Sequence, residues 1–191
     1  MSCSTPVSML PSGAQLTLKD LFEAVSNPFF QKMRQQIRAK PEEQTSFSVE
    51  VGIERPVNVP EDVLRILRYD ERNQTCLASG QSINGILATW FVASEVNLND
   101  DDLPDLIVMA ANPCLFGANV DPFWVFCATP QGHELVLSES ATVLDVLDKR
   151  TNGYREIRLM RLSATEKIIT VYRFDGRKYQ ARFSRVESIR Q

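Results

Sequence analysis

A succession of strand-like segments between residues 87 and 185 constrains the fold of this chain more than any other feature. Apolar residues alternate with polar ones or form short runs, and Gly, Pro, Asn and Asp residues separate the segments. The dipeptide Asp175-Gly176 predicts a tight β-hairpin, because such pairs tolerate the positive φ angles of a two-residue turn. Val143–Leu147 fits either a strand or a helix. The predicted strands are Leu87–Val96, Asp105–Ala110, Phe123–Ala128, Glu134–Ser138, Arg155–Leu162, Ile168–Phe174 and Lys178–Arg185.

The chain before residue 86 carries mainly helical patterns. Residues 1–16 are rich in Ser, Pro and Gly, and we expect a flexible tether there. Apolar residues at helical spacing then predict helices near residues 17–25, 28–37 and 61–67, whereas Phe47–Ile53 alternates like a strand. We therefore predict a single α+β domain over residues 17–191. Its N-terminal helices (about 17–85) would pack on a mainly antiparallel β-meander sheet (about 86–191).

The charges are distributed unevenly along the chain. Residues 73–148 carry 10 Asp or Glu and no Lys or Arg, whereas residues 149–191 carry 12 Lys or Arg and 4 Asp or Glu. The two segments either face each other within one fold or leave a basic surface for an anionic partner. The second interpretation predicts a partner-binding surface at Arg173, Arg177 and Lys178, for another protein or an anionic envelope component. A pI near 5.3 argues against nucleic acid as the partner.

The cysteines and the hydropathy pattern indicate a compartment. None of the four cysteines lies in a C-x-x-C pair, which argues against a zinc ribbon or a thioredoxin-type motif. Cys76 and Cys114 flank the central predicted strands and are the pair we expect in a disulfide, which needs an oxidising compartment; buried free thiols are the alternative. No run of about 18 apolar residues predicts a membrane span. Cys3, before a polar tether, suits a lipid anchor, so we expect a periplasmic or envelope location, with the cytoplasm as the alternative.

One acidic stretch suggests a cation site. Residues 97–105 read Asn-Leu-Asn-Asp-Asp-Asp-Leu-Pro-Asp and lead directly into the apolar run Leu106–Met109. Calcium loops place oxygen-bearing side chains at alternate positions because calcium takes six to eight oxygen ligands. Few carboxylates would serve as ligands here, so binding would be weak, with a dissociation constant on the order of 10⁻⁴ to 10⁻³ M. A solvated acidic turn is the alternative. The predicted ligands are the side chains of Asn97, Asn99, Asp101 and Asp105 and the carbonyl of Leu103.

The same stretch resembles the Asp-rich loop and following strand of the VCBS/FG-GAP type. That family has the pattern D-x-N-x-D-G-x-x-D followed by L-I-V, which implies a calcium-binding loop. This chain has Asn97 at the first ligand position and Asp102 in place of the glycine, so Asp102 is expected to adopt a left-handed turn. Only one such unit is present, too few for a β-propeller.

A broader resemblance covers residues 86–180. It is to small bacterial proteins, often exported, that have no assigned activity, and it implies an envelope protein without catalytic residues. The stretches that carry it are Trp90–Glu95, Gly117–Asn119, Pro122–Phe126, Arg150–Arg155 and Tyr172–Tyr179.

A small hydrolase is the alternative to a binding domain. Asp101 and Asp105 could form an acid/base pair, or Cys114 could act with His133, the single histidine of the chain. His133 follows Gly132 at a predicted turn, and neither a nucleophile elbow nor a phosphate-binding glycine loop is present. We therefore prefer a non-enzymatic envelope or extracytoplasmic binding domain, whose 97–105 loop calcium would stabilise.

Overall fold

The computed structural model describes residues 43–189. The predicted tether over residues 1–16, the helices predicted near residues 17–37 and Cys3 lie outside these residues. The described chain forms two antiparallel sheets and two short α-helices, so it is largely β. The predicted antiparallel pairing is thereby confirmed, but the strands form two sheets and not the single predicted meander sheet. The helices are α1 (Glu61–Arg68) and α2 (Glu71–Gln74), with 3-10 turns at Ile83–Gly85, Ala88–Trp90 and Pro113–Leu115.

Both sheets are antiparallel throughout. The five-stranded sheet has the order β1-β6-β7-β8-β9, and the four-stranded sheet has the order β2-β3-β4-β5. Only Thr142 separates β5 from β6, so the chain passes from one sheet to the other at a single residue. The strands are β1 (Ser46–Ser48), β2 (Phe91–Val96), β3 (Asp105–Ala110), β4 (Asp121–Thr129), β5 (Gly132–Ala141), β6 (Val143–Thr151), β7 (Tyr154–Leu162), β8 (Glu166–Phe174) and β9 (Tyr179–Ser188).

Two hydrophobic clusters cover the two faces of the four-stranded sheet. Ile107 and Phe123 face the five-stranded sheet, where they join Phe47, Leu144 and Ile157. On the opposite face, α1 covers the sheet with a second cluster. The continuous apolar run of β3 follows from this arrangement, because a strand covered on both faces has no solvent side to alternate with. The second cluster includes Val63, Leu64, Leu67, Phe91, Leu106, Trp124 and Phe126.

Local chemistry accounts for α1. Pro60 precedes the helix in an extended conformation, and the acidic Glu61 and Asp62 occupy the first turn. Arg65 and Arg68 occupy the last turn, so charges of both signs are placed favourably for the helix dipole. The apolar positions of the helix are three or four residues apart and lie against the four-stranded sheet.

Three segments differ from their predicted form or resolve an open alternative. The strand predicted over Leu87–Val96 begins only at Phe91, because Ala88–Trp90 forms a 3-10 turn in which Trp90 N donates to Leu87 O at 3.0 Å. The strand predicted over Phe47–Ile53 ends at Ser48, because the chain turns back there and Gly52 N donates to Ser48 O at 2.7 Å. Gly52 adopts a φ of 70°, which glycine takes without strain. Val143–Leu147 belongs to strand β6.

The cysteines near the helical side are bonded to each other. A disulfide joins Cys76 to Cys114, the pair selected from the sequence, with their Cα atoms 5.9 Å apart. It ties the segment after α2 to the 3-10 turn that follows β3. Cys127 is a buried free thiol on β4, and burial raises its pKa above the usual value. No helix within residues 43–189 is long and apolar enough to cross a membrane.

Candidate functional site

The acidic loop over residues 97–105 connects β2 to β3 and orders itself through its own side chains. Asn97 Oδ1 accepts a hydrogen bond from Asp100 N at 2.7 Å, and Asn99 Oδ1 accepts one from Asp101 N at 3.2 Å. Asp101 Oδ1 accepts one from Leu103 N at 2.9 Å, and Asp101 Oδ2 accepts one from Asn99 Nδ2 at 2.6 Å. Such short-range bonds replace backbone pairing in turns. The alternating polar residues therefore build a series of Asx turns.

The left-handed residue of the loop is Asp100, with a φ of 61°. The prediction had placed it at Asp102, where the resembling family has glycine, and that position is wrong. Asp is one of the few residue types that adopt positive φ at modest cost, because its short side chain bonds locally. The turn therefore comes two residues earlier than the family pattern indicates.

Asp105 differs from the other acids because it is buried. Its Oδ2 accepts a hydrogen bond from Leu98 N at 2.8 Å, and its Oδ1 accepts one from Ala128 N at 2.9 Å. The carboxylate thus joins the start of the loop to the end of β4. Burial raises the pKa of this carboxyl against the two backbone bonds, and the charge of Asp101 adds to the rise. Asp105 is therefore a buried residue that links the loop to β4, whereas Asp101 is exposed.

These contacts bear on the predicted calcium ligands. Every predicted side-chain ligand accepts at least one hydrogen bond from the protein itself. Leu103, whose carbonyl is the predicted backbone ligand, is exposed. Within residues 43–189, no group of three or more His, Cys, Asp or Glu side chains is placed to hold a metal. Oxygen atoms with a free lone pair can still bind a cation. Calcium binding therefore stays a prediction.

The acidic loop is held by the turn between β6 and β7 in the other sheet. Arg150 Nη2 lies 2.7 Å from Asp100 Oδ1, and Arg150 Nη1 donates to Leu98 O at 3.0 Å. Arg155 N also donates to Leu98 O, at 2.7 Å, and Asn99 Nδ2 donates to the hydroxyl of Tyr154 at 3.3 Å. The acidic and basic segments of the sequence therefore meet here inside one fold.

Further ion pairs join the two charged segments. The guanidinium of Arg155 lies 3.1 Å from Asp148, that of Arg158 lies 2.9 Å from Asp145, and that of Arg161 lies 3.1 Å from Glu139. The pair of Arg161 and Glu139 is partly exposed, and exposed pairs contribute little stability each, whereas Arg155 is buried. These ion pairs nevertheless determine which basic side chains already pair with an acidic residue of this chain.

The predicted partner-binding residues divide into two groups. Arg173 Nε lies 2.9 Å from Oε1 of the buried Glu156, so Arg173 forms an ion pair within the fold. Arg177 and Lys178 are exposed in the β8–β9 turn, where their N–H groups donate to Asp175 Oδ1 at 2.8 and 2.9 Å. Within residues 149–189, the basic residues that form no ion pair with a described residue are Arg177, Lys178 and Arg182.

The residues of the hydrolase alternative all have structural contacts. The disulfide occupies the sulfur of Cys114, so no free thiol is present there. His133 Nδ1 lies 2.9 Å from Asp62 Oδ2, and the same oxygen accepts a bond from His133 N at 2.8 Å, which fastens α1 to β5. Burial raises the pKa of Asp62, but the bonds from His133 outweigh it and hold the pKa below the usual value.

A polar cluster that we did not predict from the sequence lies at the edge of the four-stranded sheet. Asp70 Oδ2 accepts hydrogen bonds from Trp124 Nε1 at 2.7 Å and from Arg72 Nη2 at 2.6 Å. The Arg72 guanidinium lies 4.9 Å from the centre of the Trp124 ring. An open cleft of about 440 Å³ lies beside it. The only sequence signal is local: Asp70 caps α2 through Arg72 N. The cleft is lined by Asp70, Glu71, Arg72, Ser138, Glu139, Ser140 and Arg161.

Comparison with protein-family models, with curated proteins and with solved structures finds no match to this chain.

Proposed function

We propose that the protein is a non-enzymatic binding domain of an oxidising, extracytoplasmic compartment. It engages an anionic envelope partner through the tip of the β8–β9 hairpin. The proposal rests on the position of the basic residues that form no ion pair with a described residue. Arg177, Lys178 and Arg182 are exposed and lie close together in sequence around one turn, whereas the other described basic residues after residue 148 form ion pairs.

The energetic reason for this location is desolvation and entropy. A basic side chain held by an internal acid must give up that contact before it can bind a partner, whereas a free one loses only part of its hydration and its own conformational freedom. A rigid hairpin also presents the three charges together, which favours electrostatic steering of an anionic partner. Arg182 thus takes the place in the binding surface that the sequence suggested for Arg173.

The disulfide between Cys76 and Cys114 supports the proposed compartment, because such bonds persist in oxidising surroundings. The structural roles of Cys114, His133 and Asp105 support a binding role over hydrolysis. Catalysis would require freeing groups that hold the two sheets and α1 in place.

The test uses co-sedimentation with vesicles of anionic phosphatidylglycerol and of neutral phosphatidylcholine. We expect binding to the anionic vesicles only, with a loss of at least tenfold for Arg177→Glu with Lys178→Glu, and weakening by salt. Arg65→Glu, an exposed position on α1, serves as the control for charge reversal away from the hairpin and should bind normally.

A second arm covers an acidic protein as the partner. A photo-crosslinking amino acid at the exposed Ala181 should capture one defined product in cells, and the Arg177→Glu/Lys178→Glu change should remove it. A crosslinker at Arg65 serves as the control. Absence of both vesicle binding and a charge-dependent crosslink would refute the proposal.

A further inference from the structure

Strand β9 is a long, exposed edge. It pairs with β8 on one side, and within residues 43–189 no strand borders its other side. All residues from 180 to 186 are exposed, although they lie in a ten-residue strand. Three large apolar side chains are more than two-fifths exposed on or just after it: Phe183 (54%), Val186 (59%) and Ile189 (42%). Uncovered edges of this length offer unpaired backbone groups to another strand.

The ladder with β8 determines which backbone groups face outward. Ile189 N donates to Thr165 O at 2.8 Å, so these two residues form a hydrogen-bonded pair. Hydrogen-bonded and non-hydrogen-bonded pairs alternate along an antiparallel ladder. Glu187, Arg185 and Phe183 therefore bond to β8, opposite Lys167, Ile169 and Val171. The N–H and C=O groups that face outward belong to Ser184, Val186 and Ser188.

Symmetry limits how a second copy can pair with this edge. A twofold antiparallel pair places one residue opposite its own copy, and the outward-facing residues Ser184, Val186 and Ser188 must bond to one another. The central residue is therefore one of these three or a residue between them. Centres at Arg185 and Glu187 place like charges opposite one another, and a centre at Phe183 runs into the register shift of β9. A centre at Ser184 places the apolar Phe183 opposite the charged Arg185, and a centre at Ser188 leaves few paired residues.

A centre at Val186 matches both charge and hydrophobicity. Arg185 then lies opposite Glu187 of the partner subunit, and Phe183 lies opposite Ile189 of the partner subunit. Val186 meets its own copy. Within one chain, Arg185 Nη2 lies 2.5 Å from Glu187 Oε1, so the two residues share a face, and four charges of alternating sign would meet across the junction.

We propose that the protein forms a homodimer by antiparallel β9–β9 pairing centred on Val186. The pairing joins two five-stranded sheets into one of ten strands. It uses Phe183–Ile189 of each copy, away from the register shift between Val171 and Tyr172. So short a junction buries less surface than a permanent dimer, so the dimer is reversible, with a dissociation constant on the order of 10⁻⁶ to 10⁻⁵ M. The surface is distinct from the Arg177–Lys178 tip.

Analytical ultracentrifugation of the full chain over a range of concentrations tests the dimer. Arg185→Glu and Glu187→Arg each place like charges opposite one another at two symmetric positions, and each should raise the dissociation constant about tenfold. The double reversal restores opposite charges and should restore dimerisation. Val186→Pro removes an outward N–H that β8 does not use and should abolish the dimer, whereas Val186→Thr should keep it. Circular dichroism checks that each variant is folded.

Disulfide trapping tests the register independently. At the centre, the Cα atoms of Val186 and its copy lie about 5.5 Å apart, within the range of a disulfide. In a Cys3→Ser background, Val186→Cys should form a covalent dimer under mild oxidation. Ser184→Cys, which this register separates from its own copy by about 14 Å, should form little. A wild-type protein that stays monomeric at high concentration, or equal trapping at both positions, overturns the proposal.

Discussion

Removal of the Asp105 carboxylate is the perturbation that tests the described fold most directly. Asp105→Ala leaves the N–H groups of Leu98 and Ala128 without their acceptor. An unsatisfied buried N–H costs about 1–3 kcal/mol, so two give about 2–6 kcal/mol. The buried carboxylate is itself disfavoured, as its raised pKa indicates, and its removal offsets part of that cost. We expect a net loss of about 2–4 kcal/mol at neutral pH.

Urea denaturation followed by circular dichroism measures this loss. Asp102→Ala is the matched control, because Asp102 is an exposed acid of the same loop, and its loss should stay within about 0.5 kcal/mol. Asp105→Asn keeps the shape but offers one oxygen to two donors, so its loss should lie between those of the two alanine variants. An Asp105→Ala variant that is as stable as Asp102→Ala would refute the reasoning that these two bonds hold the loop to β4.

Three further predictions concern the disulfide, pH and calcium. Cys76→Ala with Cys114→Ala should lower the free energy of unfolding by about 4 kcal/mol, since the bond closes a separation of 38 residues; alkylation of Cys76 and Cys114 in the denatured, unreduced protein would contradict the bond. Burial raises the pKa of Asp70, but bonds from Arg72 and Trp124 outweigh it and hold the pKa below the usual value. The wild-type protein should therefore be more stable than Asp70→Asn above about pH 4, and this difference should disappear as the pH falls below about 4. The difference in stability between the wild type and Asp105→Asn should instead shrink as the pH rises from about 4 through the raised pKa of Asp105. Parallel pH profiles of the wild type and the two variants would refute both predictions. Millimolar calcium should raise the melting temperature by a few degrees and EDTA should reverse this, and magnesium should do less. Asp101→Asn is the sharper variant, because it removes an exposed charge without the buried bonds of Asp105, and an equal response in that variant would refute the site.

The sequence by itself determined most of the strands and the position of the last hairpin, because these depend on neighbours along the chain. Strand β3 has the predicted bounds Asp105–Ala110, since the five residues after Asp105 are apolar without interruption. A tight hairpin also forms at the predicted place, but its two central residues are Gly176, with a φ of 107°, and Arg177, because Asp175 N donates to Lys178 O across the turn. Both features follow from side-chain size and backbone freedom within a few residues.

Only the tertiary structure decided which charges are internal and which are free. In the sequence, Arg173 and Arg177 belong to the same basic segment. In the fold, Arg173 lies beside the buried Glu156, and Arg177 lies at an exposed turn. Similarly, Asp101 and Asp105 look equivalent in the loop, but one is exposed and the other bonds Leu98 and Ala128. Ion pairing and burial depend on which strands the fold brings together, which a local pattern does not encode.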